Sequence, residues 1–478
     1  MKHKITIILL LVTIFQAKAQ TEKWDLQKCI DYAMENNLQV RLNSLNIKSS
    51  KEALTLAEHA RYPSLSAQVS HNYNWGLSFD VLTNQPVNRR VQTNGFFLGG
   101  NVPVYNGFRL RNQIAQAELS LKGSELDLEQ NKNLIALNIV GAYVQIIFNV
   151  ELLSNSQRQV KNFDEQITRT QSLVDAGVLP RNNVLDLKSQ KATSELQMVQ
   201  AENALAISKL QLKQLLQITD DGAIEIVIPI LPDPDASSVL VNASTVYSTA
   251  VDNQPNVKSA DLAIESADMG IEVAKSNYLP TINLSYSLGS SYSSAQADQF
   301  QRTGDSTTVT QPIGFVNGTN ELVLNTQRIP EFSLSKFNFS DQIDESFNQR
   351  IGITLNIPIY NRNQAKNSVA IAKIQSERAK LQSQVVKNDL RQTIEQAYQD
   401  AVAALKTYTS NEVQVEALQE TFRITEERYN AGVSNITDFN VAQNNLNIAQ
   451  SNLIRAKYDY IVKTKILDFY MGKELSLE

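Results

Sequence analysis

Thiol or metal chemistry would have to start from very few side chains. Past residue 19 the chain holds one cysteine, Cys29, and two histidines, His59 and His71. A nucleophilic thiolate needs a base beside it, and a zinc site needs about four ligands at close spacing. These three residues are far apart and lie near no carboxylate group at ligand spacing. There is also no glycine loop of the phosphate-binding type and no nucleophile elbow. The sequence therefore predicts neither a catalytic set nor a metal or cofactor site. Cys29 is expected on a packed helix face, without a disulfide partner.

What recurs instead is short and physical. "NVPVYNGFRL" at 101–110 returns as "NIPIYNRNQA" at 356–365, and Ala176-Gly177-Val178 returns as Ala431-Gly432-Val433. Glycine just past a helix end adopts the left-handed cap conformation at little cost. Both tripeptides read as tight turns closing long helices. The elements around them form a tandem duplication. Residues from Cys29 match residues from Val246 at an offset of 217, and residues from Gly95 to about Gln217 match at 255. The difference is an insertion of 38 residues in the second copy, near 290–340. It is rich in Ser, Thr, Gln, Asn and Gly and is expected to form a surface loop.

The expected divisions follow. Residues 1–19, with Lys2 and Lys4 before an apolar run and Ala17-Lys18-Ala19 after it, read as a secretory signal peptide. Residues 20–217 form the first repeat and 246–472 the second. Residues 218–245 join them, with a short strand near 224–230, and 473–478 form a tail. Without Lys2, Lys4 and Lys18, the 44 basic residues fall to 41 against 49 acidic ones, a net charge of −8. An acidic exported chain with no basic tract is a poor nucleic-acid binder.

Each copy reads helix, strand, strand, long helix, turn, helix. At 64–79 the odd positions are Leu65, Ala67, Val69, His71, Tyr73, Trp75, Leu77 and Phe79, and the even ones are polar or glycine. Similar alternation runs through 281–288, 96–104 and 350–359, so each stretch has one apolar and one polar face. Aromatic residues near strand ends, at Trp75, Phe79, Tyr105 and Tyr360, suit a membrane interface. Four strands are too few to close a barrel in lipid, so several chains must share one. Residues 107–176 and 362–431 contain no proline, and 70 residues of helix span about 105 Å. The shorter helices are expected at about 25–61 and 181–217. In the last helix, positions 439, 442, 446, 449, 453, 456, 460, 463, 467 and 470 follow 3-4 spacing with Ala at alternate sites. Only Lys463 breaks this coiled-coil seam. The remaining alternative is an exported coiled-coil scaffold whose strands form a soluble sheet.

The opening "WDLQKCIDYAMENN", both Pro-x-Tyr-Asn strand ends, both Ala-Gly-Val turns and "AGVSNITDFNVAQNNLNIAQSNLIRAKYDY" together resemble the TolC family of outer-membrane efflux proteins, over nearly all of the mature sequence. The resemblance implies an α+β membrane protein. Its homotrimer would form a 12-stranded outer-membrane β-barrel, four strands per chain, continued by a long α-helical periplasmic barrel. It implies an exit duct for efflux or secretion, coupled to a periplasmic adaptor protein and an inner-membrane transporter and set in outer-membrane lipid. Adaptor docking falls to the hairpin tips, Ala176, Gly177, Val178, Ala431, Gly432 and Val433. The periplasmic entrance constriction falls to Asp438, with Asn183 and Asp186 in the first copy. The family's second acid is replaced here by Val441.

Overall fold

The computed structural model describes residues 23–79, 86–219, 224–229, 231–234, 241–296, 298–473 and 475–477. The expected signal peptide at 1–19 and parts of the inter-repeat linker lie outside the described residues. The chain divides into two units. One holds residues 55–115 and 269–373, and the other holds the remainder.

Both copies set their elements at the offsets read from the sequence. Helices α1 (Leu26–Asn36) and α2 (Leu38–His59) have counterparts α5 (Ala243–Asn253) and α6 (Pro255–Lys275). Their N-caps are Asp25, which accepts from the Lys28 amide at 2.7 Å, and Asn242, which accepts from the Ser244 amide at 3.1 Å. Such caps satisfy amides that a helix start leaves unpaired. The expected single helix at 25–61 is in fact two, because Asn37 is extended. Its side-chain oxygen caps the second helix by accepting from the Gln39 amide at 2.8 Å. The second copy breaks at the equivalent Gln254, and Pro255 opens the next helix, where its missing N–H costs nothing.

The long helices α3 (Arg109–Asp175) and α8 (Gln364–Asn430) each run 67 residues. They return as α4 (Asn182–Leu216) and α9 (Ile436–Tyr470). In the helical unit a core forms where α1, α3, α4 and α9 meet. Ile139, Tyr143, Ile146 and Ile147 of α3 and Leu212 and Leu216 of α4 are at most 1 % exposed. The most apolar stretch of α3 is 44 % buried inside this unit. The linker strand is shorter than expected. β6 (Glu225–Ile226) pairs in parallel with β1 (Lys23–Trp24), and the Tyr143 hydroxyl donates to the carbonyls of Trp24 and Val227 beside them. Cys29 is fully buried in this core. Burial pushes its thiol up to about 12, with Asp25 adding and Lys28 opposing.

The seam on α9 holds. Phe439, Ala442, Leu446, Ala449, Ala456, Tyr460 and Leu467 are all buried. Lys463, the one break, reaches Asp400 of α8 at 3.1 Å, so the stripe is interrupted by an ion pair and not by solvent. Along the middle of α4 the small residues Ser194, Ala201 and Ser208 are buried while Met198 and Leu205 are half-buried, and the large Leu212 is buried near its end. Small side chains at a seam let helix backbones approach closely.

The other unit is built on a four-stranded antiparallel sheet in the order β10-β7-β5-β2, using β2 (Ser64–Asn74), β5 (Val91–Tyr105), β7 (Thr281–Ser293) and β10 (Asn348–Asn356). Each copy therefore contributes an adjacent pair of strands, β10-β7 from the second and β5-β2 from the first, joined where β7 pairs with β5. Three expectations need correction. The stretch 64–79 is not one strand. Gly76, at φ +121°, ends β2, and β3 (Leu77–Phe79) pairs separately with β4 (Pro86–Asn88). The strand at 350–359 stops at Asn356, because its partner β7 begins at Thr281 and Pro358 has no amide for the ladder. In β5 the matching Pro103 is accommodated by a bulge. The 290–340 insertion is not an irregular loop. It forms a long hairpin of β8 (Asp298–Phe315) and β9 (Leu322–Lys336), followed by a short helix α7 (Phe339–Glu345).

Candidate functional site

Directly opposed residues in a sheet share a face, so the register decides what each face offers. One row reads Ile351, Tyr286, Gly100, Leu65, and the next reads Gln349, Leu288, Leu98, Ala67. Further rows place Phe96 beside Val69, and Ile353 beside Leu284 and Val102. This is the apolar face read from the alternation. The protein's own helices do not cover it. Val69 is 73 % exposed, Ile351 74 % and Ile353 74 %. Only α7 closes over one end, where Phe339 meets Tyr292 at 5.1 Å and Phe96 at 6.3 Å. The buried Gln342 side chain holds α7 in place. It accepts from the Ser293 amide at 2.9 Å and donates to the carbonyls of Gln296 at 3.1 Å and Phe337 at 3.0 Å. Tyr105 ends β5 and stacks edge-on with Phe108 at 5.5 Å. Trp75 and Tyr360 lie just past strand ends and are exposed.

The opposite face carries Ser64, Ser66, Gln68 and Ser70 on β2, facing a β5 row of Asn101, Gly99, Phe97 and Gly95. On β7 and β10 it carries Asn283 against Thr354 and Ser287 against Arg350. The outer edges of β2 and β10 have no strand partner among the described residues. A sheet with an uncovered apolar face and two open edges is unfinished as a soluble structure.

In the helical unit the two hairpin tips are near copies. The Gly177 amide donates to the Val174 carbonyl at 2.9 Å and the Val178 amide to Leu173 at 2.9 Å. The Gly432 amide donates to Tyr429 at 3.0 Å and the Val433 amide to Arg428 at 2.9 Å. This paired pattern is the Schellman motif, which needs a left-handed residue, and the glycine φ values are +74° and +72°. Ala176, Gly177, Ala431 and Gly432 are exposed, as are Val178 and Val433. Beneath the tips, Phe439 packs against Phe422 at 5.5 Å and Tyr429 at 5.0 Å, in one cluster with Phe163 and Leu187.

Asp438 is exposed in the first turn of α9. Its amide donates to the Asn435 side chain at 2.8 Å, and its carboxylate takes a long contact of 3.4 Å from the Ser434 hydroxyl. An acid there also complements the helix dipole. Asp186 is exposed as well, but Asn183 is buried. The offset places Asn183 opposite Asp438, yet α4 begins one residue later in the repeat than α9. The two helices nonetheless keep one phase, since Val184 and Phe439, and then Leu187 and Ala442, are buried at matching positions. The sequence does not mark Asn183 as a buried residue. It also hid the Lys463–Asp400 pair and the Gln342 clasp, because each joins residues far apart in the chain.

The sequence model described as "Outer membrane efflux protein" matches residues 29–216 and 323–473. The outer membrane efflux protein BepC of Brucella suis biovar 1 (strain 1330) is 21 % identical over 435 residues, covering 91 % of this chain and 82 % of that protein. The outer membrane protein TolC of Salmonella enteritidis is 20 % identical over 477 residues, covering 99 % and 86 %. Among solved structures, CusC aligns with a TM-score of 0.68 at 16 % identity over 96 % of each chain. The open state of the MtrE outer membrane channel of Neisseria gonorrhoeae aligns at 0.64 and 18 % identity, over 95 % of this chain and 90 % of that one. A match across both copies, joined to the same fold in known channels, places the chain: it belongs to the outer membrane efflux protein family.

Proposed function

We propose that this chain is the outer-membrane exit duct of an efflux or secretion assembly, working as a homotrimer coupled to a periplasmic adaptor and an inner-membrane transporter. The observation that carries the reading is the uncovered sheet. Its apolar face suits lipid, its polar face suits water, and its two free edges suit pairing with sibling chains. Three chains contribute twelve strands and leave no edge in the bilayer. The exposed apolar face counts against a soluble scaffold, which would bury it. The duct is a channel and not an enzyme, and the driving energy comes from the transporter.

The tips at Ala176–Val178 and Ala431–Val433 are the proposed adaptor sites. Asp438, with Asp186 beside it in the first copy, is the proposed constriction of the entrance. Three carboxylates around one axis would favour cations. The test is reconstitution of the full chain into planar bilayers, alongside fractionation of cells. A duct gives discrete conductance steps and stays with outer membranes through alkaline washing. A protein that washes off and gives no steps contradicts the reading.

A further inference from the structure

Two side chains break the composition of the polar sheet face. Apart from Pro103 at the bulge and the buried Val91 at one end, the rows of that face hold only Ser, Thr, Asn, Gln or Gly, with the exception of Phe97 and Arg350. Phe97 sits between Gln68 and Gly289 and is 47 % exposed. Its ring is folded over Gly99, two residues along the same strand. A Cβ at Gly99 would lie 2.5 Å from the Phe97 Cζ, so a larger residue there would displace the ring from this position. The ring is thus seated against the wall with one side open. Arg350 is exposed and lies in the same row as Gly99, with Ser287 between them. Two strand spacings put its backbone about 10 Å from the glycine that carries the ring. It is the only charged residue on that face among the described residues of the four strands.

On a wall of small hydroxyls, amides and glycines, a large apolar ring and a guanidinium at nearly the same level form a two-part recognition surface. The ring offers contact to an apolar body. The guanidinium offers forked donors to a carboxylate or sulfonate. We propose that Phe97 and Arg350 form a second constriction inside the duct, selecting amphiphiles with an apolar body and a negative charge over cationic ones. This rests on the polar face being the lumen, and cyclic repetition would place three such pairs around the passage.

The experiment uses the full chain in planar bilayers, with octanesulfonate and octyltrimethylammonium as blockers. The wild type is expected to be blocked by octanesulfonate at several-fold lower concentration than by the cation. Arg350→Gln should abolish that preference. Phe97→Ala should weaken block by both compounds several-fold, because the apolar contact is lost. Wild-type behaviour of either variant overturns the proposal. Ser285→Cys, on the same face, separates this failure from failure of the duct reading. If a charged methanethiosulfonate reagent changes the current of that variant while Phe97→Ala or Arg350→Gln matches the wild type, the duct stands and the constriction does not. If Ser285→Cys is insensitive to the reagent, the face is not the lumen and both fall.

Discussion

Gly177 and Gly432 hold left-handed backbone at equivalent points, and the space around both is open. A Cβ added at either meets nothing within 4 Å. Any penalty for substitution is therefore one of backbone conformation and not of collision. The left-handed region costs an ordinary L-residue about 1–2 kcal/mol, and a β-branched one more, while Asn tolerates it. Gly432→Asn should keep adaptor capture near wild type, and Gly432→Val should reduce it, as read by crosslinking to the adaptor in cells. Equal capture by both variants would contradict the tip assignment. Asp438→Asn should keep the helix cap, because the Asn435 contact uses the backbone amide. It should nonetheless lower cation preference in reversal-potential recordings. Unchanged selectivity would leave Asp438 a helix-end residue alone. At this scale the sequence was legible where chemistry is local. The glycine turns and the Lys463 anomaly stood out in the chain. The Asp400 partner did not, because 63 residues of helix and turn separate it from Lys463.

The elements were readable wherever their period was long and uninterrupted. Both 67-residue helices lie within two residues of their expected ends, since continuous helix formers and a glycine cap leave few alternatives. Reading failed where a single residue changed the path. Asn37 and Gly76 each split a stretch whose side-chain pattern ran straight through. The 290–340 insertion misled for another reason. Its threonines and glutamines look loop-like by composition, yet Thr310 pairs with Thr326 and Arg302 with Phe332 across an antiparallel ladder with two register shifts. Cross-strand pairing needs no apolar face when β-branched side chains line the ladder. The base of this insertion depends on Gln342. Gln342→Leu would leave the half-buried Ser293 amide without its acceptor, at about 1 kcal/mol. The variant should lower the melting temperature of the purified particle, by calorimetry, without changing helix content at 25 °C. A melting temperature equal to wild type would show that α7 is held by its aromatic contacts instead.

For the whole molecule, the governing fact is imbalance within the sheet unit. Four strands pair among themselves, yet Val69, Ile351, Ile353 and Leu355 are exposed, and β2 and β10 each keep an open edge among the described residues. Burial of such side chains is worth roughly 1.5–3 kcal/mol each, so a lone soluble chain forgoes that stabilisation. The need for partners could be inferred from strand number alone. Which strand neighbours which could not, because the two copies meet through β7 and β5 at the centre of the order β10-β7-β5-β2 and no local pattern encodes that pairing. The proposed remedy is edge-to-edge closure by sibling chains in lipid. The most direct measurement is the mass of the particle extracted in mild detergent, by native mass spectrometry. Three chains per particle are expected, and a stable single chain that needs neither detergent nor lipid would contradict the account.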